Sequence, residues 1–240
     1  MLTYENLKKK PREFLAATSL THEEFQLLLP NFESVYEHLY PQHLTVEAQA
    51  RKRGVGAGVK GTLAKFEDRL LFILVYHKTN PLQTMHGLEF GLSQSRANYW
   101  IHRLLPVLQE TLAVIGMRPE RAASAVATTA ATVEGGANLA IDGTERRLQR
   151  PTDPIKQRAK YSGKKKAHTD KNILLVNENS QRVVYLSPTV DGKKHDSRAA
   201  TEAAIAYPTN ATLDKDTGFQ GYQPTGVLTM QSKKKRKVKS

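Results

Sequence analysis

The chain has 240 residues, no cysteine and 39% hydrophobic residues, a composition suited to one medium globular domain plus a smaller one. The absence of thiols excludes a disulfide scaffold, a thiolate zinc site and cysteine catalysis, and it fits a reducing compartment. With 36 Lys and Arg against 23 Asp and Glu, the net charge is +13, a surplus that points first to nucleic acid as partner.

The first 49 residues hold four Lys or Arg against seven Glu and are mildly acidic. Thr21 and Glu24 are spaced as a capping box, and Phe25, Leu28, Leu29, Phe32, Val35, Tyr36 and Leu39 recur at helical spacing. They predict two short helices before Pro41. Residues 51–65, RKRGVGAGVKGTLAK, carry five basic residues, four glycines and no acid, and read as a flexible basic linker. Phe66 to His77 is a strongly apolar helix. Asn80-Pro81 opens the next, which ends at Gly91, and Ser93 caps a third from Gln94 to Leu105. The longest apolar run, Leu70 to Tyr76, falls far short of the ~20 residues of a membrane span, and the N-terminus lacks the apolar core of a signal peptide. A cytoplasmic protein with no membrane partner is expected.

The Ala- and Thr-rich residues 122–132 read as a linker or loose helix. Beyond Gly136 the pattern shifts to strands: Leu139 to Ile141, Lys171 to Asn177, Arg182 to Ser187, then a helix from Ala199 to Ala206 and a strand beginning at Thr212. The fold class expected is α+β, an all-helical N-terminal part followed by an α/β domain.

The two helices joined through Glu89-Phe90-Gly91-Leu92-Ser93 suit a helix-turn-helix. Its second helix would present Gln94, Ser95, Arg96 and Asn98 to base edges, since Gln and Asn pair with adenine and Arg with guanine. Arg103, farther along, is a further candidate DNA contact. Leu88, Leu92, Trp100, Ile101 and Leu104 would form the packing face. An ordinary helix pair with polar residues facing water explains the same spacing.

Asp142, in Ile141-Asp142-Gly143, and Asp216, in Asp216-Thr217-Gly218, each follow a predicted strand. Side by side, they would hold a divalent ion through hard oxygen ligands; taken singly, each reads equally as a turn residue. Between them, residues 142–171 hold ten Lys or Arg against four acids. Arg146, Arg147, Arg150, Lys164, Lys165 and Lys166 are the candidates for holding a phosphate backbone. The run 233–239, KKKRKVK, adds six basic residues; it looks like a nuclear-import signal but reads instead as phosphate-contacting basic residues or a coincidence.

The motifs Asp142-Gly143-Thr144-Glu145-Arg146-Arg147, Gln149-Arg150-Pro151, Tyr161-Ser162-Gly163-Lys164-Lys165-Lys166, Gly192-Lys193-Lys194-His195-Asp196 and Asp216-Thr217-Gly218-Phe219-Gln220-Gly221 resemble, in order, the core of DDE-class insertion-sequence transposases of the insertion-sequence-five kind, related to the Harbinger group. The stretch from Pro81 to Pro106 is similar to that family's helix-turn-helix. The resemblance implies an RNase H-like catalytic domain and a transposase that cleaves element ends and joins them to target DNA with Mg²⁺ or Mn²⁺ in a two-metal site. It makes Asp142 the first acid and metal ligand and Asp216 the second, with Asp214 a weaker substitute. It implies a bacterial, nucleoid-associated protein whose partners are terminal inverted repeats, target DNA and a second copy or full-length transposase. The His195-Asp196 pair is read as capping the helix that follows.

The domains expected are a helical segment over 1–50, the linker 51–65, the helix-turn-helix domain 66–115, a linker 116–137 and an RNase H-like domain over 138–240. The family's third acid is a Glu well beyond the second Asp, but nineteen residues follow Gly221 and none is Asp or Glu. A C-terminally shortened catalytic domain, lacking its last helix and inactive alone, is therefore expected, with an apolar sheet face left open. The alternative is a non-catalytic DNA-binding fragment that competes with full-length enzyme.

Overall fold

The computed structural model describes residues 1–41 and 61–231, and the chain divides into two compact units, Met1–Met117 and Arg118–Ser240. Most of the stretch read as a basic linker, and the whole lysine run 233–239, lie outside the described residues. Among the described residues no helix is long and apolar enough to cross a membrane.

The first unit is helical: α1 (Tyr4–Leu7), α2 (Pro11–Thr18), α3 (His22–Leu39), α4 (Phe66–Thr79), α5 (Gln83–Glu89) and α6 (Gln94–Val114). The capping box forms as the sequence predicts: Glu24 N–H donates to Thr21 Oγ1 at 3.2 Å and Thr21 N–H to Glu24 Oε2 at 2.7 Å. α3 is one helix rather than two. Pro30 inside it costs about 3 kcal/mol, but Phe25, Leu28, Phe32, Val35 and Tyr36, on both sides of the proline, are buried, at roughly 1.5–3 kcal/mol for each large apolar side chain. α6 likewise runs on through Pro106 to Val114, because Val107 and Leu108 beyond the proline are buried. α4 is apolar nearly all round, as befits a central helix, and Leu70 to Ile73 are all buried. Asn80 does not open α5; it ends α4 in the left-handed conformation (φ 43°), which Asn adopts more readily than most residues.

The second unit is built on a mixed sheet. Its strands are β1 (Asn138–Arg147), β2 (Tyr161–Ser162), β3 (Ala167–Asn177), β4 (Arg182–Leu186), β5 (Val190–Asp191), β6 (Thr212–Lys215) and β7 (Leu228–Gln231). The order is β2-β3-β1-β6-β7, with β4 and β5 also on β3. β3 is antiparallel to β1, whereas β6 is parallel to both β1 and β7. One face packs Leu139, Ile141, Ile173, Leu175 and Leu213 against helix α9 (Asp196–Ala203), Val126 and Phe219. The Ala- and Thr-rich stretch takes a 3-10 helix, Ala123–Thr128, and Val126 on it is buried in this core. On the other face Leu228 and Met230 are exposed. The short helices α7 (Ala130–Val133) and α8 (Pro154–Lys160) complete the unit, and Asp153 caps α8 with its side chain. A helical part followed by a mixed α/β domain is the fold class expected from the sequence.

Candidate active site and nucleic-acid interface

Parallel pairing brings the two expected acids together. The β1–β6 ladder ends with Ile141 opposite Lys215; the next residues are Asp142, inside β1, and Asp216, just past the end of β6 at the N-cap of the 3-10 helix Thr217–Phe219. Ile141 and Lys215 are buried, whereas Asp142 and Asp216 are exposed on the opposite face. Each carboxylate is steered by the glycine that follows: Gly143 N–H donates to Asp142 Oδ1 at 2.8 Å, and Gly218 N–H donates to Asp216 Oδ1 at 2.7 Å. Asp214, opposite Ala140, shares their face one step back along β6. Among the described residues none of the three makes a salt bridge, in a chain with a net charge of +13.

A second acidic group, of Glu145 and Asp196, lies behind the pair; both residues fall in motifs quoted for the family resemblance, without a role expected at the site. His195 occupies the N-cap position of α9 without capping through its side chain; its ring hydrogen-bonds Ser197 Oγ instead. Asp196 turns inward and is 9% exposed. Its Oδ1 pairs with Lys171 Nζ at 2.7 Å, and the same ammonium stands 3.5 Å from Glu145 Oε1. Asp196 fills the space that side chains on two glycines would need. A Cβ on Gly143 would meet Asp196 Oδ1 at 2.9 Å, and one on Gly218 would meet Asp216 Oδ1 at 2.9 Å and Asp196 Oδ2 at 3.0 Å. Asp196 thus underlies both loops that aim the exposed acids. Burial pushes the Glu145 pKa up, but hydrogen bonds from Ser162 and Thr169 and the Lys171 charge outweigh it and hold the carboxyl below its ordinary value. Lys215, buried under Asp216, gives its ammonium to the Tyr222 carbonyl, and burial lowers its pKa.

The basic candidates separate by position. Arg146 lies four residues beyond Asp142 on β1, hence on the same sheet face, and its guanidinium is held by Asn172 Oδ1 at 2.9 Å and Thr189 Oγ1 at 3.3 Å. Arg147 points to the other side of the strand. Arg150 is held by Gln157 Oε1. Lys164, Lys165 and Lys166 form the exposed turn between β2 and β3 and make no ion pair among the described residues.

In the helical unit Ser93 caps α6 by accepting from Arg96 N–H at 3.4 Å. Ser95 and Arg96 are exposed in its first turn. Gln94 and Asn98 both donate to Gln83 Oε1, at 2.8 and 3.1 Å, which ties the start of α6 to α5. Arg103 stands apart from them: its Nε donates to Tyr36 hydroxyl at 2.9 Å and its guanidinium lies 3.7 Å from the Tyr40 ring centroid. The packing face also differs from expectation at Leu88, which is 66% exposed; His86, Gly87 and Phe90 take the buried positions.

A pair of helices joined by a turn in one unit, and two exposed acids beyond the last pair of the β1–β6 ladder in the other, suit a protein that binds DNA. Comparison with protein families agrees. Residues 62–113 match the helix-turn-helix of DDE superfamily endonuclease, and residues 141–239 match the DDE superfamily endonuclease domain. No curated protein and no solved structure matches the chain. The chain thus carries a helix-turn-helix domain and a DDE endonuclease domain, which support a DNA-binding, transposase-like function.

Among the described residues no group of three or more His, Cys, Asp or Glu is arranged to hold a metal ion. Asp142 and Asp216 nevertheless fit Mg²⁺ or Mn²⁺. These ions are commonly held by one or two carboxylates with substrate phosphates completing the shell, and both side chains are exposed and free of cations.

Proposed function

We propose that the chain is a DNA transposase of the DDE class, of the insertion-sequence-five kind, that binds terminal inverted repeats through its helix-turn-helix and cuts and joins phosphodiester bonds at Asp142 and Asp216. One observation carries this reading: Asp142 and Asp216 each directly follow the last pair of a parallel ladder, Ile141 and Lys215, and among the described residues neither has an ion-pair partner, in a strongly basic chain. Asp142 and Asp216 would hold Mg²⁺ or Mn²⁺. The chemistry such an ion supplies is Lewis-acid stabilisation of charge on the scissile phosphate. The protein's part is to place the backbone. Arg146, fixed by Asn172 and Thr189, offers a positioned cation on the acids' own face, and Lys164 to Lys166 extend the basic surface. Target DNA and a second copy or full-length transposase are the partners of this reading.

The lack of a third acid beside the pair among the described residues favours a second reading, a DNA-binding chain that occupies element ends without cutting them. Nicking of supercoiled plasmid in Mn²⁺ separates the two. The transposase reading expects nicking that is at most weak from the chain alone and that Asp142→Asn abolishes. Footprints on terminal repeats with no metal-dependent nicking, unchanged by Asp142→Asn, establish the second.

A further inference from the structure

Beyond the acid pair, the second unit has a pocket of about 530 Å³ lined by Arg150, Gln157, Arg158, Tyr161, His168 and Lys193, within the size range of small-ligand sites. We propose that it holds one unstacked nucleotide of single-stranded DNA, its phosphate among the three cations and its base against Tyr161. The assignment rests on the DNA-processing reading above and names a subsite within it.

The chemistry of the lining points to a nucleotide. No carboxylate lines the pocket, and among the described residues Arg150, Arg158 and Lys193 make no ion pair. Three uncompensated cations around one cavity favour an anion. One of the three cations, Arg150, has its charged group held in place, and Lys193 is anchored by its backbone. Arg150 is held through Nε and a terminal nitrogen by Gln157 Oε1 at 3.2 and 3.0 Å, and Gln157 is itself tied to the Pro151 carbonyl at 2.7 Å. Lys193 is held through its backbone: its N–H donates to Ala159 O at 3.2 Å, and the preceding Gly192 donates to Thr169 O at 2.9 Å. Gly192 lies so close to β3 that a Cβ there would sit 1.9 Å from Thr169 Oγ1.

Tyr161 supplies a surface for a base. It is 45% exposed. Its ring stands edge-on to His168, with centroids 5.6 Å apart and planes at 70°, and no Lys or Arg among the described residues lies over it. A cationic groove beside an open aromatic face is how proteins hold single strands without reading their sequence.

The pocket is also on the path of a strand that reaches the acids. Tyr161 pairs with His168 across β2 and β3. Alternation along β3 puts His168 on the same face as Asp170, Asn172 and Leu174, and Leu174 is the partner of Asp142 on β1. Six residues of strand separate His168 from Leu174, roughly 20 Å. Arg146, opposite Asp170, lies between them. The acids beside that route, Asp170 and Asp191, share the one ammonium of Lys160, which offsets half of their charge. A strand leaving Asp142 thus meets a fixed arginine and then the pocket.

The test is binding by the full chain in metal-free buffer, read as fluorescence anisotropy. The probes are a duplex with a short oligothymidine tail, the same duplex with an abasic tail, and a blunt duplex. The wild-type chain is expected to prefer the thymidine tail to the abasic tail by about tenfold. Tyr161→Ala should erase that preference and leave blunt-duplex binding unchanged, and Tyr161→Phe should retain it. Arg158→Gln and Lys193→Gln should each reduce the salt dependence of tailed-DNA binding by about one phosphate contact. Equal wild-type affinity for thymidine and abasic tails, or a preference that survives Tyr161→Ala, overturns the proposal. The assay involves no cutting, so the two readings fail separately. A chain that prefers the base-bearing tail but never nicks refutes only the transposase reading; one that nicks but is indifferent to the tail base refutes only the pocket.

Discussion

The acid pair and the acids beneath it sit in opposite environments, on the two faces of the sheet. On the covered face Glu145 and Asp196 are buried and share one ammonium, and Glu145 takes hydrogen bonds from Ser162 and Thr169. On the open side Asp142 and Asp216 are exposed, take N–H donors from Gly143 and Gly218, and among the described residues pair with no cation. Side chains alternate between the faces of a strand, so residues a few positions apart on β1 meet these two environments. The lesson concerns net charge. A chain with thirteen surplus positive charges spends a buried lysine on acids behind the site and leaves the acids of the site uncompensated. That is a stable arrangement only where something cationic is to be bound or where water solvates the pair.

Substitutions on the two faces should therefore fail in different ways. The largest effect belongs to the open face. Asp142→Asn or Asp216→Asn should lower metal-dependent nicking at least a hundredfold, since even partners one shell removed from a metal cost about 10–100-fold, while urea unfolding shifts little because neither carboxylate is ion-paired. Next comes the covered face: Lys171→Met leaves Glu145 and Asp196 buried without their cation and should cost about 3–5 kcal/mol in denaturant unfolding. If it unfolds as the wild type does, the buried cluster is not holding the sheet. Gly218→Ala tests the seam between the faces. Its new methyl must displace Asp216 and Asp196 together, at a cost of about 1–3 kcal/mol, with nicking lost more steeply than stability.

The comparison also has a pH signature. The Glu145 carboxyl is held below its ordinary value, so its contribution is complete above the unfolded-state pKa near 4.5 and is lost as pH falls through the lower folded value. Unfolding followed below about pH 4.5 should show this loss, and Glu145→Gln should flatten it. The smallest effect lies in the helical unit. Arg103→Ala should cost about 1 kcal/mol of stability by removing the Tyr36 hydrogen bond and the Tyr40 stack, yet weaken duplex binding less than Arg96→Ala does.

Much of the framework was legible from local pattern. The capping box at Thr21, the cap at Ser93, the apolar α4 and the strands at 171–177 and 182–186 follow from spacing and capping chemistry. The misses have physical causes. Two helices were expected where α3 is one, because side chains buried on both sides of Pro30 hold it together. β2, β5 and β7 are too short or too exposed to carry an apolar signal. Asp153-Pro154 is a capping signature that would have located α8. Leu88 has the right period for a core position, but α5 turns His86 and Gly87 inward instead. At the candidate site, sequence could single out Asp142 and Asp216, but Asp142, expected just after a strand, lies inside β1, which runs on to Arg147. Sequence could not show Asp196 beneath them, because that contact depends on how α9 lies against two glycines distant in the chain.

The parallel pairing of β1 with β6 has one more consequence. Asn138 and its partner Thr212 are 74 residues apart in the chain, and nearly everything between them must be in place before the strands can dock. Such long-range pairing forms late in folding. A chain still emerging from the ribosome, or one partly melted, therefore carries both carboxylates but no paired site, and any nuclease activity it has should switch on only with completed assembly of the sheet.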